Sequence, residues 1–214
     1  MQSSFFDDIP QSPIELAQGA VVLPRFVGDA MPSLYRALKE VVTAAPFRHL
    51  ITPGGHKMSV GMTNCGSAGW VSDASGYRYS KQDPMTGNQW PNLPDCFLEL
   101  AQSAAAAAGY AQFETDACLI NQYRVGAKLS MHQDRDEGGL EQPIVSVSLG
   151  LPATFLFGGL ERTNPTRKIL LEHGDVVVWG GPSRLCFHAV NAIQSGVHPD
   201  LGPRRLNLTF RKAV

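Results

Sequence analysis

No stretch of this 214-residue chain approaches the roughly 20 consecutive apolar residues of a membrane span. The opening MQSSFFDDIP is acidic and has none of the apolar core of a secretion signal. A cytoplasmic protein with no membrane partner is therefore expected. Cysteine is scarce. Cys65, Cys96, Cys118 and Cys186 never fall into a C-x-x-C pair, which argues against a zinc ribbon or a thioredoxin-like site. Scattered thiols without a signal segment read as reduced. Charge of one sign is lacking too: 18 Lys and Arg face 19 Asp and Glu, for a net charge of −1. That balance excludes a strongly basic, indiscriminate nucleic-acid binder and leaves room for a local basic groove. Tandem repeats, a G-x-S-x-G elbow and a G-x-x-x-x-G-K-[ST] loop are all missing, so repeat architectures and the common hydrolase signatures are set aside.

Glycine and proline are plentiful, at 21 and 15 residues, and many lie between short apolar runs. This favours a turn-rich β protein. Residues 1–24 read as an irregular arm with one strand at Ala20–Leu23. A helix is expected over Pro32–Ala44, where Leu34, Leu38, Val41 and Val42 share a face, with Asp29 or Ser33 as its cap. A second helix is expected from Asp95 to Ala108, stopped by Gly109, with a close-packed face of alanines. Residues 48–92 hold ten glycines and prolines together with Trp70, Tyr77, Tyr79 and Trp90, and they read as short hairpins on the core surface. From residue 116 six short runs read as strands: Cys118–Tyr123, Pro143–Gly150, Thr154–Phe157, Ile169–Glu172, Asp175–Trp179 and Leu206–Phe210. The expectation is a mainly β jelly roll with two flanking helices packed on the outer face of one sheet.

Within Leu129-Ser130-Met131-His132-Gln133-Asp134, an extended backbone would point His132 and Asp134 the same way, because side chains alternate with period two. His188 lies 54 residues after Asp134, and a jelly roll can return it to the pair. Two histidines and a carboxylate leave three coordination positions open, as non-haem iron(II) oxygenases require. H-x-D alone is a weak signal whose plain reading is a solvated turn. For His188 the plain reading is a half-buried histidine. The strand Arg204–Arg211 shifts that balance. Its Leu206, Leu208 and Phe210 share one face, and Arg205, Asn207, Thr209 and Arg211 share the other. Inward arginines are costly unless they meet an anion, and a guanidinium fork suits a carboxylate. In Leu119–Tyr123, Asn121 and Tyr123 extend the polar lining. Arg205 and Arg211 stand about 20 Å apart along a strand, so they do not grip the same carboxylate.

These residues bear a family resemblance. H-x-D, a distal histidine and R-x-N-L-T-F-R near the chain end resemble the AlkB family of 2-oxoglutarate- and iron(II)-dependent dioxygenases. The likeness extends over TPGGHKMSVGMTNCG (52–66), DACLINQYRVGAKLSMHQDRDE (116–137), PIVSVSLGLPATFLFGG (143–159) and LLEHGDVVVWGG (170–181), and covers nearly everything from about residue 15 to Arg211. It implies one domain over residues 1–214 with a double-stranded β-helix core at 116–211, N-terminal helices and a nucleotide-recognition lid at 48–92. It implies iron(II) on His132, Asp134 and His188, with O2 and 2-oxoglutarate as co-substrates. Asn121, Tyr123, Arg205, Asn207 and Arg211 would bind 2-oxoglutarate, Arg205 taking its distal carboxylate. Trp70 and Tyr77 would contact the base, with Arg78, Tyr79, Asp136 and Arg162 completing the substrate site. The implied activity is oxidative demethylation of 1-methyladenine and 3-methylcytosine in alkylated DNA, with RNA left open, releasing formaldehyde. A monomer is expected.

The lesions fit the residue types. Both methylated bases are cationic, which suits aromatic faces and the Asp136 carboxylate. A base that has lost Watson–Crick pairing also costs less to flip. The plainer alternative is that Trp70 and Tyr77 pin the lid to the core. Two rivals stand beside the main reading. One is an oxygenase of the same cofactor type acting on a protein or small molecule. The other is a jelly roll that binds single-stranded nucleic acid without chemistry.

Overall fold

The structure is a computed structural model that describes residues 12–214. Residues 1–11 of the expected irregular arm therefore lie outside the described residues. Its end forms a hairpin of β1 (Ile14–Ala17) and β2 (Ala20–Leu23). β1 is a correction to the arm expected there: its four residues have too little alternation to be read alone, and pairing with β2 makes the strand.

α1 (Met31–Ala44) and α2 (Asp95–Ala107) fall where the apolar spacing places them. Neither Asp29 nor Ser33 caps α1. Its N-cap is Ala30, Pro32 occupies the first turn, and the Ser33 hydroxyl donates back to the Ala30 carbonyl. Pro fits there because its missing N–H has no helical partner to lose. Gly109, at φ +91°, reverses the chain after α2, a conformation that glycine adopts without a Cβ clash.

The strands form two facing antiparallel sheets. The larger contains β3 (Gly61–Gly66), β6 (Ala117–Arg124), β8 (Ile144–Gly150), β11 (Val176–Trp179) and β13 (Arg204–Arg211), in the order β1-β2-β11-β8-β13-β6-β3. The smaller contains β7 (Leu129–His132), β9 (Ala153–Phe157), β10 (Arg167–Leu171) and β12 (His188–Val190), in the order β10-β9-β12-β7. Such non-sequential neighbours are those of a jelly roll. β3 corrects the expectation of surface hairpins over 48–92. It is almost wholly buried and closes the large sheet against β6. The separate hairpin is β4 (Gly69–Asp73) with β5 (Gly76–Ser80).

Alternation divides the core. Val145, Val147, Leu149, Val176, Val178, Leu206, Leu208 and Phe210 point outward and pack under Leu34, Leu38, Val41, Phe97, Leu100 and Ala104 of the helices. The inward face of the same sheet carries Leu119, Tyr123, Ile144, Val177 and Trp179, which meet Phe155, Phe157 and Leu171 of the small sheet. Burying side chains of this size stabilises by about 1.5–3 kcal/mol each. Beyond this inner apolar layer, Asn121, Ser146, Ser148, Arg205, Asn207, Thr209 and Arg211 are also buried between the sheets. A polar lining of this density has no packing rationale, and it marks the site.

Candidate active site

β7 and β12 are neighbours in the small sheet, and their register sets His188 directly opposite His132. The imidazole rings lie 4.3 Å apart between centroids. Asp134 follows β7 by two residues and faces both. Its Oδ1 is 3.6 Å from His132 Nε2, and its Oδ2 is 3.8 Å from His188 Nε2. The candidate ligand atoms of all three residues fall within 4.8 Å of one another. Sequence spacing alone supports this triad weakly; the strand pairing brings it together.

Each histidine is oriented from behind. His132 Nδ1 donates to the Ser130 carbonyl at 2.8 Å, and His188 Nδ1 donates to the Cys186 carbonyl at 3.0 Å. Protons held on Nδ1 leave both Nε2 lone pairs facing the shared space, the arrangement that metal-ligating histidines adopt. Burial, together with His132 alongside, lowers the His188 pKa to about 4, so its ring is neutral. Burial opposes the charged form of Asp134 as well. The Arg211 guanidinium and the two histidines outweigh that and hold its carboxyl well below the usual carboxylate range. Two imidazole nitrogens beside an ionised carboxylate fit a divalent cation.

Arg211 secures Asp134. Its Nε and Nη2 donate to Asp134 Oδ2 at 3.2 and 2.7 Å, and Nε lies 3.1 Å from Glu137 Oε1. Arg184 supports both acidic residues: Nη1 donates to the Asp134 backbone carbonyl at 2.7 Å, and Nη2 to Glu137 Oε2 at 3.3 Å. Sequence reasoning assigned no role to Glu137 or Arg184. Glu137 ends the charged run DRDE and reads there as solvated; only its 2% side-chain exposure sets it apart.

A cavity of about 640 Å³ opens beside the triad. One wall is the inward face of β6 and β13. Arg205 is 1% exposed; its Nη2 donates to Ser148 and its guanidinium lies 5.2 Å from the Tyr123 ring centre. Among the described residues, Arg205 Nε and Nη1 are buried without a hydrogen-bond partner, as is Asn121 Oδ1. A buried guanidinium with two idle donors is costly. A carboxylate in the cavity would satisfy it bidentately, so the residues fit 2-oxoglutarate. Asn207 donates to Ser146 Oγ and the Val147 carbonyl, which braces the middle of that wall.

The opposite rim is the β4–β5 hairpin. Trp70 and Tyr77 stack at 5.5 Å with only 13° between their planes, and both line the cavity. Trp70 Nε1 donates to Asp136 Oδ2 at 2.9 Å, and its backbone is clipped on both sides by the Asn64 amide. Arg162 lies over Phe187 at 5.0 Å and also lines the cavity, as do Lys57 and Lys128. Two residues expected at the substrate site stand elsewhere. Arg78 pairs with Asp73 inside the hairpin, and Tyr79 turns down to Glu137; neither lines the cavity. In both cases a nearby carboxylate takes the side chain.

The chain is similar to known proteins along its whole length. The family model for the 2OG-Fe(II) oxygenase superfamily matches residues 19–211. The alpha-ketoglutarate-dependent dioxygenase AlkB of Salmonella typhimurium is 55% identical over 215 residues, covering 100% of this chain and 99% of the relative. The DNA N(6)-methyladenine demethylase ALKBH1C of Arabidopsis thaliana is 33% identical over 176 residues, covering 69% of this chain and 38% of that protein. The solved structure of OsALKBH1 superposes with a TM-score of 0.81 at 31% identity, covering 94% of this chain and 100% of the other. With its jelly-roll core, triad and buried arginine, the chain belongs to the AlkB family of 2-oxoglutarate- and iron(II)-dependent dioxygenases.

Proposed function

We propose that this dioxygenase demethylates N-alkylated bases in DNA, with 1-methyladenine and 3-methylcytosine as substrates. One observation carries the reading: a flat, stacked aromatic pair, tied to a carboxylate, shares one cavity with the triad and with the idle Arg205 donors. Residues 48–92 act as the substrate lid and 116–211 as the catalytic core of a single domain. The names of the more distant relatives point to nucleic acid as the substrate class. The protein works as a cytoplasmic monomer; among the described residues no helix is long and apolar enough to cross a membrane.

His132, Asp134 and His188 would hold the iron(II), and Arg205 would take the distal carboxylate of 2-oxoglutarate with Asn121, Tyr123, Asn207 and Arg211 beside it. Together, bound iron, 2-oxoglutarate and O2 supply the oxidation that hydroxylates a C–H bond while the co-substrate leaves as succinate and CO2. The chain's own residues do the rest. Trp70 and Tyr77 offer a face on which a flipped base stacks. Asp136 favours a cationic base over a neutral one, and Arg162, Lys57 and Lys128 supply positive charge near the backbone. Phe155, Leu171 and Trp179 give the cavity an apolar wall on the side of the triad. An N-hydroxymethyl base then collapses to formaldehyde and the unmodified base.

The test supplies iron-loaded protein with 2-oxoglutarate, O2 and an oligonucleotide carrying 1-methyladenine. Equal amounts of succinate and formaldehyde are expected. Absence of both overturns the proposal. Succinate stimulated by a peptide or small molecule, and not by the oligonucleotide, reassigns the substrate.

A further inference from the structure

The lid hairpin meets the catalytic floor at two points. One is Trp70 with Asp136, at the cavity rim. The other is buried. Tyr79 is the direct cross-strand partner of Trp70 in the hairpin register, so the two side chains share a face and move with one short ribbon. The Tyr79 hydroxyl donates to Glu137 Oε1 at 3.1 Å and accepts from Arg211 Nη1 at 3.5 Å. Burial pushes its pKa up, so it remains a donor. Glu137 stands between the arginines, and each of them also grips Asp134: Arg211 holds its carboxylate and Arg184 its backbone carbonyl. Glu137, Arg184 and Arg211 have side chains between 2% and 7% exposed. Charges buried to this degree are held by one another, and a change in one partner is felt by the rest.

We propose that Tyr79, Glu137 and Arg211 form a positioning relay, by which occupation of the lid adjusts the carboxylate of Asp134 in the metal site. This rests on the reading above that Asp134 ligates the metal and that Trp70 faces the base. Tyr79 and Glu137 are positioning residues. Tyr79 lies outside the cavity lining and Glu137 is held by the arginines at its edge, and together they transmit where the hairpin sits. The expected outcome is coupling: oxidation of 2-oxoglutarate proceeds fully only when a base has set the hairpin.

Cobalt(II) in place of iron gives a visible spectrum that reports ligand geometry without turnover. The native protein with cobalt and 2-oxoglutarate is expected to change spectrum when the 1-methyladenine oligonucleotide is added. In Tyr79→Phe, cobalt and oligonucleotide should each bind within about threefold of native, while the spectral change falls to under a third. Glu137→Gln should weaken cobalt binding by about tenfold, the scale of lost outer-shell support. During turnover Tyr79→Phe should yield more succinate per formaldehyde than native. Should Glu137→Gln fail to fold, Tyr79→Phe alone decides. A native-sized spectral change in Tyr79→Phe, with oligonucleotide bound, overturns the relay. So does a native spectrum indifferent to bound oligonucleotide. Failure of the native protein to bind cobalt overturns the metal reading beneath it.

Discussion

At the scale of the residue, Arg205 shows what sequence can and cannot tell. Alternation in β13 places Arg205, Asn207, Thr209 and Arg211 on one inward face, and all four are buried there. The two arginines were legible as separate because of their distance along the strand. Their different jobs were not, because Arg211 finds Asp134 and Glu137 only across the sheets. Arg205→Ala is expected to raise the KM for 2-oxoglutarate by about 10- to 100-fold, the loss of about 1.5–3 kcal/mol for a hydrogen bond to a charged group. Steady-state kinetics at varied 2-oxoglutarate checks this, and an unchanged KM refutes the assignment. His188 gives a pH prediction. Unfolded, its imidazole titrates near 6.5; folded, near 4. Above pH 6.5 both states are neutral and nothing changes. Between about 6.5 and 4 the unfolded chain takes up the proton first, so the metal-free protein should lose stability as pH falls through that window. Urea midpoints measured at pH 7.5, 6 and 5 should fall in that order, and a flat series would show the ring to be unconstrained.

At the scale of the element, β6, β8, β9, β11 and β13 were readable because each alternates or runs apolar for four residues or more. The strands β3, β7 and β12 were not. β3, Gly-Met-Thr-Asn-Cys-Gly, has the composition of a turn and becomes a strand through its partner β6. β12 has three residues, too few for any period. Because β7 and β12 position the histidines, the hardest elements to read are the ones that build the centre. The helices were clear in extent, and their contribution is to cover the large sheet. Phe97 is 0% exposed and meets Phe210 edge-on at 6.0 Å. Phe97→Ala is expected to destabilise by about 3–5 kcal/mol while leaving the KM for 2-oxoglutarate unchanged. Chemical denaturation gives the first quantity, and a loss under 1 kcal/mol would mean that α2 is not anchored there.

At the scale of the whole molecule, folding and ligand binding are linked. A closed centre exists only after strands from distant parts of the chain have paired, so ligands that need it bind the folded state alone. A divalent metal with 2-oxoglutarate at a hundredfold over its Kd should add about 2.7 kcal/mol, or about 5–10 °C in Tm for a domain of this size. Thermal melts with and without chelator check this. The same gain in Arg205→Ala at the ligand concentrations used for the native protein would show that the co-substrate is held elsewhere.

The pairing of His132 with His188 across β7 and β12 has a further consequence. The backbone ladder sets the separation of their Cα atoms, and the Nδ1 hydrogen bonds to Ser130 and Cys186 set the rings, so two ligands of the centre are held in place within one small sheet. Asp134 stands beyond the end of β7 and is the adjustable ligand. Anyone seeking to change the ion this scaffold prefers should therefore leave the histidines alone and vary residue 134. Asp134→Glu should alter the preference for manganese over cobalt more than any exchange at position 132 that keeps a ligand there.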